Sequence, residues 1–224
     1  MDPVFFCLEI LGIIAFSISG ALVAIKAKFD VFGVVVVGVI TAVGGGITRD
    51  IIVGKTPPAI FSNAYLIGAS ALSALLTFAL AYIKRSDFLT IKGKIEIINN
   101  YFDAVGLAVF TVMGVETTLA YGFTDNAFLC ISMGVLTGVG GGLMRDIFTG
   151  SSPYIFTKHV YAITSIVGAL LFYFLSVWVK IPALSTAVSV VAIFVLRVLA
   201  TKYHWKLPKA HIEKKRTSRK IKGE

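Results

Sequence analysis

Twenty residues of this chain occur twice. The segment GVITAVGGGITRDIIVGKTP at 38–57 returns at 134–153 as GVLTGVGGGLMRDIFTGSSP, identical at 12 of the 20 positions with an offset of 96. Upstream, an offset of 94 aligns EILGIIAFSISG (9–20) with DAVGLAVFTVMG (103–114), matching Gly12 to Gly106, Phe16 to Phe110, Gly20 to Gly114 and the acid Glu9 to the acid Asp103. A two-residue difference in an intervening loop reconciles the offsets. Any fold this chain adopts must therefore satisfy one pattern in both halves.

The repeat lies in an apolar chain. Of its 224 residues 57% are hydrophobic and 15% charged, and the mean hydropathy of +0.87 lies outside the balance of a water-soluble domain. Crossing a hydrocarbon core of ~30 Å takes about 20 apolar residues at ~1.5 Å each. Seven runs meet that length, at 4–25, 31–54, 62–83, 101–122, 127–150, 159–179 and 182–200. The first reads as a retained span, because it lacks a basic leading region and a small-x-small cleavage site.

The expected fold is an all-α integral membrane protein of seven transmembrane helices. Each repeat covers three spans, and three is odd, so the second copy enters the membrane from the opposite side. The organisation that follows is a first three-helix repeat with its loop (1–100), an inverted second repeat (101–181), a seventh helix (182–201) and a basic tail (202–224). Inverted repeats place a pseudo-two-fold axis in the membrane plane, an architecture of proteins that open a path between the two sides.

Lys and Arg fix the expected orientation. With the N-terminus outside, the inner side collects Lys26, Lys28, Lys84, Arg85, Lys92, Lys94, Lys158 and the tail, whereas the outer side holds only Lys55 and Lys180. Much of the net charge of +9 belongs to that tail. It reads as a topogenic, solvated segment, with attraction to anionic lipid headgroups as the second reading and no nucleic-acid footprint. Cys7 and Cys130 fall in spans without metal-ligand spacing and read as packing thiols.

Gly44, Gly45 and Gly46 lie inside the second span and Gly140, Gly141 and Gly142 at the matching place in the fifth. A glycine costs about 1 kcal/mol against alanine in a helix interior. Close helix packing is one reading of them; a triplet that recurs, each time before an Arg-Asp pair, favours a broken helix lining a cavity. Gly38, Gly54, Gly134 and Gly150 read as packing or helix-end positions.

Arg49, Asp50, Arg145 and Asp146 are ionisable groups within spans, which face cavities and pair with one another. Adjacent helical residues point about 100° apart, so a partner from another helix is expected. Glu9 lies at the depth of Arg49 and Asp103 at that of Arg145, by residue count from the span ends. The expectation is two charged constrictions, one per mouth, with Arg49 and Glu9 outside, Arg145 and Asp103 inside, and Asp50 and Asp146 facing the passage. The competing reading is that the arginines snorkel to headgroups. Ser17, Ser19, Thr41, Thr111 and Thr137 extend the polar stripe, although each could instead bond its own helix's carbonyl four residues back. Glu116 reads as an outer-mouth residue.

Nothing points to an enzyme. His159, His204 and His211 lie at loop or tail positions, no metal-ligand cluster forms, and GGG-x-x-RD is not a phosphate-binding loop.

The doubled GGG-x-x-RD-x-x-x-G, seven spans and three-plus-three inverted repeat resemble the prokaryotic branch of the trimeric intracellular cation (TRIC) channels, a domain family also labelled glycine transporter. The resemblance covers about residues 4 to 200. It implies a homotrimer in a prokaryotic cell membrane, each subunit with its own water-filled pore, lined by the second and fifth helices bent at their glycines and passing potassium and, less selectively, sodium. The family's motif residues fall on Gly44, Gly45, Gly46, Arg49 and Asp50 and on Gly140, Gly141, Gly142, Arg145 and Asp146. No cofactor is implied beyond the permeant monovalent cation. A secondary transporter of glycine or another small amino acid is the alternative, and a scaffold without transport a third.

Overall fold

The computed structural model describes residues 3–83, 92–157 and 160–205. Lys84, Arg85, Lys158, His159, His211 and the basic tail from Lys206 lie outside the described residues. The elements are α1 (Pro3–Lys26), α2 (Val31–Ile52), α3 (Ala59–Ser62), α4 (Ala64–Ile83), α5 (Lys92–Ala120), α6 (Ala127–Phe148), α7 (Tyr154–Thr157), α8 (Tyr161–Phe174, continued by a π-turn over Leu175–Val179) and α9 (Pro182–Lys202). Seven of these are long and apolar enough to cross a membrane: α1, α2, α4, α5, α6, α8 with its π-turn, and α9. The chain is a multi-pass membrane protein.

The fourth span runs longer than the 101–122 read from hydropathy, because α5 begins at Lys92, among polar residues that an apolar count discards.

Local chemistry sets the ends of the two glycine helices alike. Asp30 caps α2 by accepting from the Gly33 amide at 2.8 Å, and Asn126 caps α6 by accepting from Leu129 at 3.0 Å. Just past the C-termini, Gly54 (φ +82°) and Gly150 (φ +66°) take left-handed conformations that a side chain would strain.

Between those ends both helices run unbroken through their glycine triplets. The expected break is absent. Gly45 and Gly141 serve close approach instead, and the helix propensity lost there is offset by packing against a backbone that no side chain separates.

Helices α1, α2, α5 and α6 form the centre: α1 packs on α2 and α5, α2 on α6, and α5 on α6. Helix α4 flanks the first half against α1 and α2, while α8 and α9 flank the second against α5. The pseudo-symmetry is visible contact by contact. Ser17 Oγ donates to the Ser70 carbonyl at 2.5 Å, and in the other half Thr111 and Ser165 share a hydrogen bond of 2.7 Å. A Cβ on Gly38 would stand 2.7 Å from Ala74 Cβ, and one on Gly134 would stand 3.3 Å from Ala169 Cβ. Phe16 and Phe110 meet at the axis with ring centroids 5.2 Å apart, each lying over the glycine of the other helix, Gly106 and Gly12.

Large apolar side chains such as Phe32, Leu80 and Phe128 point outward, while Ser19, Asp103, Arg145 and Arg197 are buried. That inversion suits a chain whose outer solvent is hydrocarbon.

Candidate functional site

The site is built where α2 and α6 cross. A Cβ on Gly45 would fall on the Thr137 carbonyl oxygen, and one on Gly141 on the Thr41 carbonyl oxygen. Two backbones therefore touch directly, and about one turn beyond each contact stands an Arg-Asp pair. Among the described residues, the bundle has two buried charged clusters, one toward the Lys26 end and one toward the Lys55 end.

At the Lys26 end, Arg145 is wholly buried. Its Nη1 donates to Asp103 Oδ1 at 2.7 Å and to Ser19 Oγ at 2.6 Å, and its Nε donates to Asp146 Oδ1 at 2.8 Å. The guanidinium also lies over the Tyr154 ring, 4.9 Å from its centroid. Four helices, α1, α5, α6 and α7, thus meet on one side chain. The expected pairing of Arg145 with Asp103 is present.

Ser19 passes the arrangement on, donating to Asn99 Oδ1 at 2.8 Å. Ser19→Ala removes an acceptor of a charged donor, an interaction of about 1.5–3 kcal/mol in water-soluble proteins and weaker in membranes. The expected result is a loss of about 1–2 kcal/mol in stability, read as a lowered unfolding midpoint in detergent.

At the Lys55 end the expectation needs correction. Arg49 does not bond Glu9; its Nε and Nη2 both donate to Asp50 Oδ1, at 3.0 and 2.7 Å. The reason is reach: the arginine stem is long enough to curl back along its own helix across the 100° between neighbours. Glu9 Oε2 is buried and accepts no hydrogen bond.

The two aspartates have a shared second task. Asp50 Oδ2 accepts from the Ala59 amide at 2.8 Å, and Asp146 Oδ2 accepts from the Tyr154 amide at 2.8 Å. Each carboxylate therefore ties its arginine to the start of the short helix that follows, α3 or α7. Burial and these bonds hold Asp50 inside the protein, whereas Asp146 also borders a cavity.

That cavity, of about 400 Å³, opens at the Lys26 end between α1, α5 and the α6–α7 connection. Its polar lining comes from Lys26, Glu96, Asn99, Asp146, Thr149, Ser151 and Tyr154. Lys26 and Glu96 face each other at 3.9 Å across its rim.

The hydroxyls divide. Thr41 and Thr137 donate to the carbonyls four residues back, Val37 and Met133, both at 2.6 Å, so they satisfy their own helices. Ser17, Ser19 and Thr111 bond across helices. Glu116 sits half-buried near the Lys55 end of α5. Both cysteines are free thiols.

Sequence reasoning missed Asn99, Tyr154, Tyr161 and Arg197. Arg197, from α9, is buried with its guanidinium 4.6 Å from the centroid of the Tyr161 ring. A lone arginine inside the apolar run 182–200 was the available signal, since an intramembrane charge implies a partner.

Known proteins resemble this chain over most of its length. The chain matches a family model described as Glycine transporter over residues 6–82 and again over 100–177, once in each half. It is 32% identical to the UPF0126 membrane protein YvgT of Bacillus subtilis over 90% of this chain and 94% of YvgT. It is 34% identical to the UPF0126 inner membrane protein YadS of Escherichia coli K12 over 90% of this chain and 93% of YadS. Among solved structures, the TRIC channel orthologue from Rhodobacter sphaeroides superposes with a TM-score of 0.81 at 31% identity, covering 91% of this chain and all of that one. A second TRIC cation channel gives 0.77 at 34% identity, covering 94% and 98%.

Proposed function

This chain belongs to the prokaryotic trimeric intracellular cation (TRIC) channel family, and from that premise we propose that it is a potassium-permeable monovalent cation channel. The observation that carries the reading is the likeness, over more than nine-tenths of the chain, to solved cation channels. Each subunit of a homotrimer has its own pore, lined by α2 and α6 about their glycine crossing. The cavity at the Lys26 end serves as a vestibule, where Asp146 and Glu96 attract cations.

The charge pattern orients the protein in the cell membrane with the N-terminus and Lys55 outside, and Lys26 and the C-terminal tail inside. The tail's charge favours anionic headgroups on the cytoplasmic face. No ring of backbone carbonyls is encoded, so discrimination of potassium from sodium is weak. The protein is not an enzyme and needs no cofactor besides the permeating ion.

A carrier of glycine is the second reading, favoured by the description of the family model. It requires a guanidinium open to a substrate carboxylate. Arg145 is buried against two protein carboxylates, and Arg49 is engaged through two nitrogens, which weighs against it.

Flux through purified protein in sealed liposomes decides between them. The expected result is passive movement of potassium down its gradient with no accumulation of labelled glycine. Saturable glycine uptake without ion leak would replace the channel by the carrier, and neither flux would leave a scaffold.

A further inference from the structure

We propose that Glu9 is a second seat for the guanidinium of Arg49, so that the Lys55 end carries a two-position latch while the Lys26 end is locked. Its consequence for conduction rests on the channel reading.

Arg145 spans an acid on its own helix, Asp146, and one on α5, Asp103. The repeat places Asp50 and Glu9 at the equivalent positions around Arg49. Duplicated geometry therefore brings Glu9 to the side of Arg49 that Asp103 occupies beside Arg145. Arg49, Asp50 and Lys55 are the charged neighbours of Glu9 among the described residues.

What differs is everything else that holds the arginine. Ser19, which accepts from Arg145, is matched by Met113, which offers no comparable acceptor. Tyr154, whose ring lies under Arg145, is matched by Ala59 as the residue whose amide the aspartate accepts. Tyr161, beside Gly142 in the locked cluster, is matched by Leu66 at the offset of 95 that pairs Ser165 with Ser70 and Ala169 with Ala74. Arg49 is left with one carboxylate oxygen, and its side chain retains 11% exposure against none for Arg145.

A carboxylate oxygen shut from water without a partner is costly, and Glu9 Oε2 is one such oxygen; moving Arg49 to Glu9 satisfies it and releases Asp50 Oδ1. Asp50 keeps its bond from the Ala59 amide either way. Glu9 is one methylene longer than Asp103, which shortens the swing. With Arg49 on Asp50, the half-buried Glu9 is the acid without an ion-pair partner at the Lys55 end among the described residues; with Arg49 on Glu9, that charge is neutralised.

Two experiments test this. The first is an experimental structure of the full-length Asp50→Asn variant, in which a carbonyl oxygen still serves the Ala59 amide but the charge that holds Arg49 is gone. The expected result is Arg49 within about 3 Å of the Glu9 carboxylate. Arg49 still on residue 50, or turned to the headgroups, overturns the latch. Should that variant fail to assemble, Met113→Ser restores the missing hydroxyl, and Arg49 should then bridge Glu9 and Asp50 as Arg145 bridges its acids; Arg49 on Asp50 alone overturns the proposal.

The second is a double-mutant cycle on single-channel potassium currents in planar bilayers. Glu9→Gln is expected to shift the ratio of open to closed times by about tenfold in the wild-type background and less than about twofold in an Arg49→Gln background. Equal shifts in both backgrounds overturn the latch. Absence of any wild-type current overturns the channel reading instead, and the structural experiment still decides the latch.

Discussion

Arg145→Met is expected to cost about 3–5 kcal/mol and to leave little monodisperse protein after extraction. The arginine is wholly buried and bonds two carboxylates, Asp103, which is shut from water, and Asp146, which is almost wholly buried at the edge of the cavity. Removing one member of a buried ion pair costs that much because its partner is left charged in a low-dielectric interior. Here two partners are stranded. Arg49→Met strands only Asp50, at a side chain that is 11% exposed, and its loss should be clearly smaller. Unfolding midpoints in detergent, with size-exclusion profiles, measure both. Adding Asp103→Asn to Arg145→Met should recover part of the loss, since a neutral amide is cheaper to bury than a lone carboxylate.

The second large effect concerns neighbouring glycines with opposite fates. Gly45→Ala and Gly141→Ala should each destabilise by at least about 1–3 kcal/mol, the range for overpacking a filled interior. At both positions the added Cβ meets a backbone carbonyl, of Thr137 or Thr41, which moves only if the helices separate. Gly46→Ala should instead be neutral or stabilising by up to about 1 kcal/mol, because the nearest atom to its Cβ is an arginine nitrogen at 3.9 Å and helix propensity improves. The three variants, compared by thermal unfolding in one detergent, separate a crossing point from a hinge. If all three behaved alike, the contact of α2 with α6 would not be what the triplets are for.

That contrast marks where sequence reading stopped. A glycine triplet in an apolar helix is compatible with a break or with a close approach, and both lower local helix propensity equally. Only the position of α6 against α2 distinguishes them, and that position is a property of the packed bundle. The same holds for the charges. Arg145 with Asp103 was legible because depth along two spans can be counted; Arg49 with Asp50 was not, because the rotamer of a long side chain depends on what else surrounds it.

The sequence alone determined the membrane class, the number of spans and the inverted duplication, since hydropathy over about 20 residues and an odd repeat leave no other economical arrangement. It also determined which charges had to be paired, because hydrocarbon tolerates few that are not. The tertiary structure decided that the helices stay whole through their glycines, and that each aspartate ties its arginine to the start of a short helix. It also decided that the two ends differ. The cluster around Arg145 turns on contacts between residues 42 and 126 positions apart, and the ties to the short helices, though only 8 or 9 positions long, depend on aspartates that the packed bundle buries, which no local pattern encodes.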